Sequence, residues 1–282
     1  MDKLLKSTAI NHLFISAILL LSLNNILFAQ NQQFDEQEFF SSIKTSYYNL
    51  TNTGAKNFVA LVTSKKMEIF AKEAWNNSEV FPLQLIWFNP DKLYLSQQGV
   101  PKITPGKYQE YQEILNGIKM QLRGILPDLQ RFYIGGFFDS INQEYTLQHN
   151  EEAVQITFST NDPSGGTKVK YLFGYNALNI LIQIDYPEQN KQIVIYPKFK
   201  TVKTKWLCTG WSVQTFIDNV VQSGFNLALK NRLIDDAWVP IDILIEVQKS
   251  DTKEQKFYDE IRLRNFLFNQ SIEFSNQSKT NR

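Results

Sequence analysis

The sequence predicts an α+β protein: a single curved antiparallel β-sheet, a half-barrel, with a few N-terminal helices covering its concave face. Three observations predict it. The hydrophobic period is 3.6 residues before Phe137 and 2 after it. Turn residues punctuate the second half so closely that each strand pairs with the next as a meander. Aromatic residues are abundant, with 21 Phe and 12 Tyr in 282 residues, which favours strands around a wide core.

The first element is the opening thirty residues. Lys3 and Lys6 form a basic head, Leu13 to Leu23 an apolar core, and Ile26-Leu27-Phe28-Ala29-Gln30 leads into a polar, Gln-rich stretch. This reads as a cleaved secretory signal peptide (1–30), because the apolar run is shorter than the roughly 20 residues a membrane anchor needs. Residues 31–38 read as flexible, 39–272 as one half-barrel domain and 273–282 as a disordered tail. No linker and no internal repeat divides the domain.

A helix is expected from Phe39 to Leu50, with Phe39, Phe40, Ile43, Tyr47 and Leu50 on one face and Gly54 ending it. Asn57 to Thr63 reads as a strand. Ser64 caps a short helix running to Trp75. Leu83 to Phe88 and Lys92 to Gln97 pair as a hairpin across Asn89-Pro90-Asp91. Lys107 to Phe132 is the best helix, with a stripe from Tyr108 through Leu129 and with Pro127 placed to split it. Strands follow at Thr146–Gln148, Val154–Ser159, around Val169, Tyr171 and Phe173, around Ile180, Ile182 and Ile184, and at Ile193–Tyr196. Asp162 to Gly166 is a turn. Three last strands span Asn226–Leu233, Val239–Gln248 and Phe257–Phe268, with Asp235-Asp236 as a tight hairpin turn.

Composition excludes several functions. Removing Asp2, Lys3 and Lys6 takes the formal charge from +1 to 0, so the mature chain as a whole has no electrostatic reason to seek nucleic acid or anionic lipid. Lys198, Lys200, Lys203 and Lys205 make a local basic run that reads as a solvated strand or loop face. The lone Cys208 cannot form an internal disulfide and, among Trp206, Leu207 and Trp211, reads as a buried thiol. His149 is the only histidine left after cleavage, which leaves too few ligands for zinc, and there is no Gly-x-Ser-x-Gly elbow. No EF-hand and no Gly-x-x-x-x-Gly-Lys loop occurs. Glu144 and Glu246 read as solvent-facing strand residues rather than a glycosidase pair. The four Asn-x-Ser/Thr matches are what an Asn-rich chain gives by chance. No catalytic residue, metal or cofactor is therefore expected, and the chain reads as a non-enzyme.

The C-terminal strands carry a resemblance. Leu227-Ala228-Leu229-Lys230-Asn231-Arg232, then Ala237-Trp238-Val239-Pro240-Ile241-Asp242-Ile243, then Glu260 to Asn269 resemble the end of the LolA-like superfamily of periplasmic lipoprotein carriers. The carrying elements are a Trp-hydrophobic-Pro strand start and a final Phe266-Leu267-Phe268-Asn269. The helix Phe39 to Leu50 followed by a strand resembles the family's opening. The resemblance implies an eleven-stranded half-barrel with helices as a lid over an apolar cavity that binds acyl chains or related ligands. The helix Lys107–Phe132 and the segment Trp206–Trp211 have no counterpart in it, and no functional residue is carried over.

The expected function is that of an exported binding protein of the cell envelope, in the periplasm of a Gram-negative bacterium or outside the cell. It would hold a lipid, acyl chain or other hydrophobic ligand, and it has no stable membrane span and no nucleic-acid partner. The expected cavity wall is Trp87, Tyr171, Phe173, Ile180, Ile182, Ile243 and Ile245. The alternative is a structural or interaction protein of the envelope with a filled core and a protein partner. A carboxylate-based enzyme ranks third.

Overall fold

A computed structural model describes residues 34–90, 92–135, 144–159, 168–249 and 256–271. The signal peptide, the flexible segment up to residue 33, the turn at Asp162–Gly166 and the tail from 273 lie outside the described residues.

The chain opens with α1 (Glu36–Ser46) and a 3-10 turn (Leu50–Thr53), then β1 (Asn57–Ser64), α2 (Lys65–Trp75), β2 (Leu83–Phe88) and β3 (Lys92–Gln97). α3 (Tyr108–Leu129) passes into a π-turn (Gln130–Ile134). Nine strands follow: β4 (Tyr145–His149), β5 (Ala153–Ser159), β6 (Lys168–Gly174), β7 (Asn179–Tyr186), β8 (Lys191–Val202), β9 (Lys205–Ile217), β10 (Val220–Ile234), β11 (Ala237–Lys249) and β12 (Lys256–Phe268). All twelve strands join one open antiparallel sheet in the order β3-β2-β1-β12-β11-β10-β9-β8-β7-β6-β5-β4. Neighbours in sequence are neighbours in space except β3 and β4, which form the two edges, while the last strand β12 returns to pair with β1, with Val62 opposite Leu263. Among the described residues no helix is long and apolar enough to cross a membrane.

Local chemistry sets the element ends. The Ser64 hydroxyl accepts from the Met67 N–H at 3.2 Å and starts α2, whose Met67, Phe70 and Ala71 are buried. Two-residue hairpins form where small polar residues tolerate positive φ: Asp218 and Asn219 between β9 and β10, and Asp235 and Asp236 between β10 and β11.

α1 is shorter than the expected Phe39–Leu50. The helix stops at Ser46 because Tyr47 and Tyr48 turn to meet β9, where the Tyr48 N–H donates to the Trp206 carbonyl at 3.0 Å. The Tyr47 hydroxyl donates to the Ala177 carbonyl (2.9 Å) and accepts from the Asn179 N–H (2.5 Å). α3 ends at Leu129 rather than at Phe132. Pro127 has no N–H to bond one turn back, and the chain widens into the π-turn, closed by Gly135 N–H to the Gln130 carbonyl at 3.1 Å.

Topology explains the length of α3. β3 and β4 lie at opposite edges of the sheet, so the chain between them must cross it. A 22-residue helix spans about 33 Å of that distance. Its contacts move across the sheet in order. Lys119 donates to Gln97 on β3 (2.7 Å), Gln121 to Asp259 on β12 (2.6 Å), and in the following π-turn Phe132 packs on Trp211 of β9 with ring centroids 5.3 Å apart. On α1, Phe39 packs edge-on against Phe173 of β6. Tyr108, expected on the buried stripe, is exposed at the first turn of α3.

Candidate functional site

The site begins where the sheet splits. The β9–β10 ladder runs from Val220 opposite Ile217 to Ala228 opposite Gly210. Gly210 has φ +143, and a Cβ there would lie 2.1 Å from the Leu227 carbonyl oxygen, so only glycine fits. Beyond this point Tyr133 from the π-turn bonds to both strands. Its hydroxyl is shared between the Cys208 carbonyl (2.8 Å) and the side-chain oxygen of Asn231, and the Asn231 amide donates to the same carbonyl (2.8 Å). Burial holds the Tyr133 hydroxyl well above its ordinary pKa.

Tyr133→Phe removes this hydroxyl from a buried network and leaves Asn231 partly unsatisfied. A loss of about 1–2 kcal/mol in urea unfolding is expected, with the fold retained.

Beside Tyr133 lies a cavity of about 20 Å³. Its floor comes from Phe58, Leu85 and Leu93 on β1, β2 and β3, and from Val239, Pro240, Leu263 and Phe266 on β11 and β12. Its roof is Leu129, Tyr133 and Ile134, with Leu50 closing one side. The lining is apolar apart from the Tyr133 hydroxyl, which points at Cys208 and Asn231. An apolar lining of this kind offers a water almost no hydrogen-bond partner. What it offers a ligand is desolvation.

On the other side of the π-turn, Arg131 pairs with Asp128 at 2.5 Å, both side chains largely buried. Burial pushes the Asp128 carboxyl above the ordinary carboxylate range and the Arg131 guanidinium pulls it back. Arg131 stays protonated; burial opposes its charge, and Tyr171, Asp128 and Tyr186 outweigh that. Arg131 also hydrogen-bonds Tyr171 of β6 and lies near Tyr186 of β7, which holds the π-turn over those strands. The Asp128–Arg131 pair forms because residues three apart share a helix face. The same spacing reads in the sequence as an ordinary surface pair, which is why the pair is not anticipated there.

Cys208 is fully buried, and desolvation pushes its thiol up to about 12. It is expected to resist thiol reagents in the native protein and to react fully after denaturation. Its pKa is higher folded than unfolded, where it is about 8.5. The unfolded chain therefore gives up this proton first, and stability falls as pH rises above about 9. Tyr48, pushed up to about 12 by burial, adds to the fall above about pH 10. Unfolding midpoints at pH 8 and pH 10.5 check the sign, and Cys208→Ala should flatten the slope.

The expected wall residues fall in separate places. Trp87 is buried on β2, packed on Phe58 at 5.8 Å. Tyr171 and Phe173 are buried on β6, and Ile182 on β7 lies directly opposite Tyr171. Ile243 and Ile245 are buried on β11, with β8, β9 and β10 between them and β7. None of the seven lines the cavity beside Tyr133. Ile180 corrects the reading of an inward position: it is 47 % exposed. The ladder shifts between Phe173 opposite Asn179 and Leu172 opposite Leu181, so Ile180 is the extra residue of a bulge and points outward.

Most residues that meet at the cavity come from segments legible in the sequence, namely the helical stripes that include Leu50 and Leu129, the first strand, the hairpin and the last two strands. Tyr133 and Ile134 are the exceptions, because they follow Pro127 and leave the helical period. Among the described residues no group of three or more His, Cys, Asp or Glu side chains converges. Comparison of the chain with family models, characterised proteins and solved structures finds no match to any of them.

Proposed function

We propose that this chain is an exported, non-enzymatic binding protein of LolA-like architecture. In this reading the open sheet is a half-barrel, α1 and α3 cover its concave face, and an acyl chain or similar hydrophobic ligand is held between them. The observation that carries the reading is the apolar cavity roofed by the π-turn. At about 20 Å³ it is far smaller than an acyl chain. Loading therefore requires Leu129, Tyr133 and Ile134 to lift. The backbone is prepared for that movement, since Pro127 and the π-turn already interrupt the α3 ladder at this point.

Titration of the mature protein with a fluorescent fatty acid tests the reading, with saturable uptake as the expected result. Leu93 lines the cavity from the edge strand and is only half-buried, so Leu93→Gln should fold. It should weaken uptake at least about tenfold by placing an amide in the apolar site. Uptake unchanged by this substitution would move the ligand elsewhere. The alternative, an envelope interaction protein with a filled core, is favoured by the full burial of Trp87, Tyr171, Phe173, Ile182 and Ile243. Absence of any uptake selects it.

A further inference from the structure

We propose that the end of the sheet formed by the β8–β9 hairpin and the adjoining part of β10 is a docking surface for an anionic phospholipid bilayer. Lys198, Lys200, Lys203, Lys230 and Arg232 are exposed there. The first three come from β8 and its turn, the last two from β10. One contact joins the groups into a single patch. The Lys200 ammonium lies 5.5 Å from the ring centroid of Trp238 on β11, and Trp238 stands opposite Leu233, the residue after Arg232.

The carboxylates at this end are Asp235 and Asp236 in the β10–β11 turn, together with Asp242. Asp242 is already engaged by Arg264 at 2.8 Å and by Lys230 at 3.7 Å. Among the described residues Lys198, Lys203 and Arg232 form no ion pair. Lys205 is engaged internally, its ammonium donating to the Thr45 carbonyl. The result is a locally cationic surface on a chain whose whole formal charge is only +1.

Charge alone would suit any polyanion. The apolar members favour a bilayer. Leu233 is 48 % exposed and the half-buried Trp238 lies beside it, side-chain types that seat among lipid headgroups while lysines meet the phosphates. Val239 and Pro240, which follow Trp238, line the apolar cavity. Trp238 and the cavity-lining Val239 are consecutive on β11, so the strand links the patch on one face to the cavity on the other. The inference deepens the proposed function and rests on it only for its purpose; docking itself is measured without the ligand.

The test is co-sedimentation of the mature protein with vesicles of phosphatidylcholine alone or with about 30 mol % phosphatidylglycerol. Binding is expected only with the anionic lipid, and it should fall at least about tenfold when salt is raised from about 0.05 to 0.5 M. The combined variant Lys198→Glu, Lys200→Glu, Arg232→Glu should lose binding at least about tenfold. The same number of reversals elsewhere, Lys56→Glu, Lys72→Glu and Lys102→Glu, should cost much less. Equal binding to both vesicles, equal loss in both variants, or displacement by millimolar glycerol phosphate would overturn the bilayer assignment; the last outcome would replace it with a small headgroup site. Because all six positions are exposed, circular dichroism should be unchanged in both variants. Fatty-acid uptake by the patch variant without vesicles separates the two proposals. Retained uptake with lost docking supports both, whereas absent uptake in the wild type with intact docking removes the carrier reading alone.

Discussion

Gly210→Ala is expected to destabilise the protein by about 3 kcal/mol or more, a larger effect than truncating most core side chains. The new methyl group would sit 2.1 Å from the Leu227 carbonyl oxygen and 3.0 Å from Ala228 Cα. Both obstacles are backbone, so no side-chain rotation relieves them. The backbone at φ +143 is also one that L-residues rarely adopt. Relief requires β9 to move away from β10 at the last rung of their ladder. That movement would pull Cys208 from Tyr133 and Asn231 and loosen the π-turn over the cavity. Urea unfolding of the purified variant measures the loss. Gly224→Ala on β10 is a suitable comparison, because its Cβ would meet the nearest backbone oxygen at 3.1 Å and φ is ordinary there. The account requires the Gly210 variant to suffer clearly more.

Ile182→Glu carries the second large effect. Ile182 is wholly buried on β7, directly opposite Tyr171 on β6 and Ile195 on β8. A carboxylate there loses its hydration and removes well-packed apolar surface. Arg131, which reaches Tyr171 opposite Ile182, is already committed to Asp128. A cost of roughly 4 kcal/mol or more is expected, a large share of a domain's total stability, so the variant should be unfolded or insoluble at neutral pH. Ile180→Glu, two residues away on the outward bulge, should be nearly neutral. A folded, soluble Ile182→Glu variant with normal urea resistance would show that this part of the sheet face is open to water.

The contrast between Ile180 and Ile182 also shows what a sequence conveys and where it stops. Alternation locates β5 and β6, because each buries one face and keeps a period of 2. It fails at β7, where one inserted residue reverses the faces and nothing in Asn179-Ile180-Leu181 announces it. No strand is expected from the sequence over β9 (Lys205–Ile217). Trp211, Val213, Thr215 and Ile217 do alternate, but Gly210 breaks the pattern upstream, and Leu207, Cys208, Gly210 and Trp211 are all buried together. The helix read over Lys107–Phe132 is legible as amphipathic, whereas its route across the sheet depends on β3 and β4 being opposite edges, a long-range fact. The same holds for the candidate site. Leu129, Tyr133 and Ile134 meet Phe58, Leu85 and Leu263 only after the first and last strands pair. The basic run Lys198–Lys205 gained Lys230 and Arg232 in the same way.

The measurement that bears most directly on the carrier reading is native mass spectrometry of the mature protein, residues 31–282, purified from an envelope fraction without detergent. The account predicts a reproducible added mass that extracts into organic solvent and that falls in the Leu93→Gln variant. A clean apo mass, together with no uptake of a fluorescent fatty acid, would contradict it and leave the filled-core interaction protein as the reading of this fold.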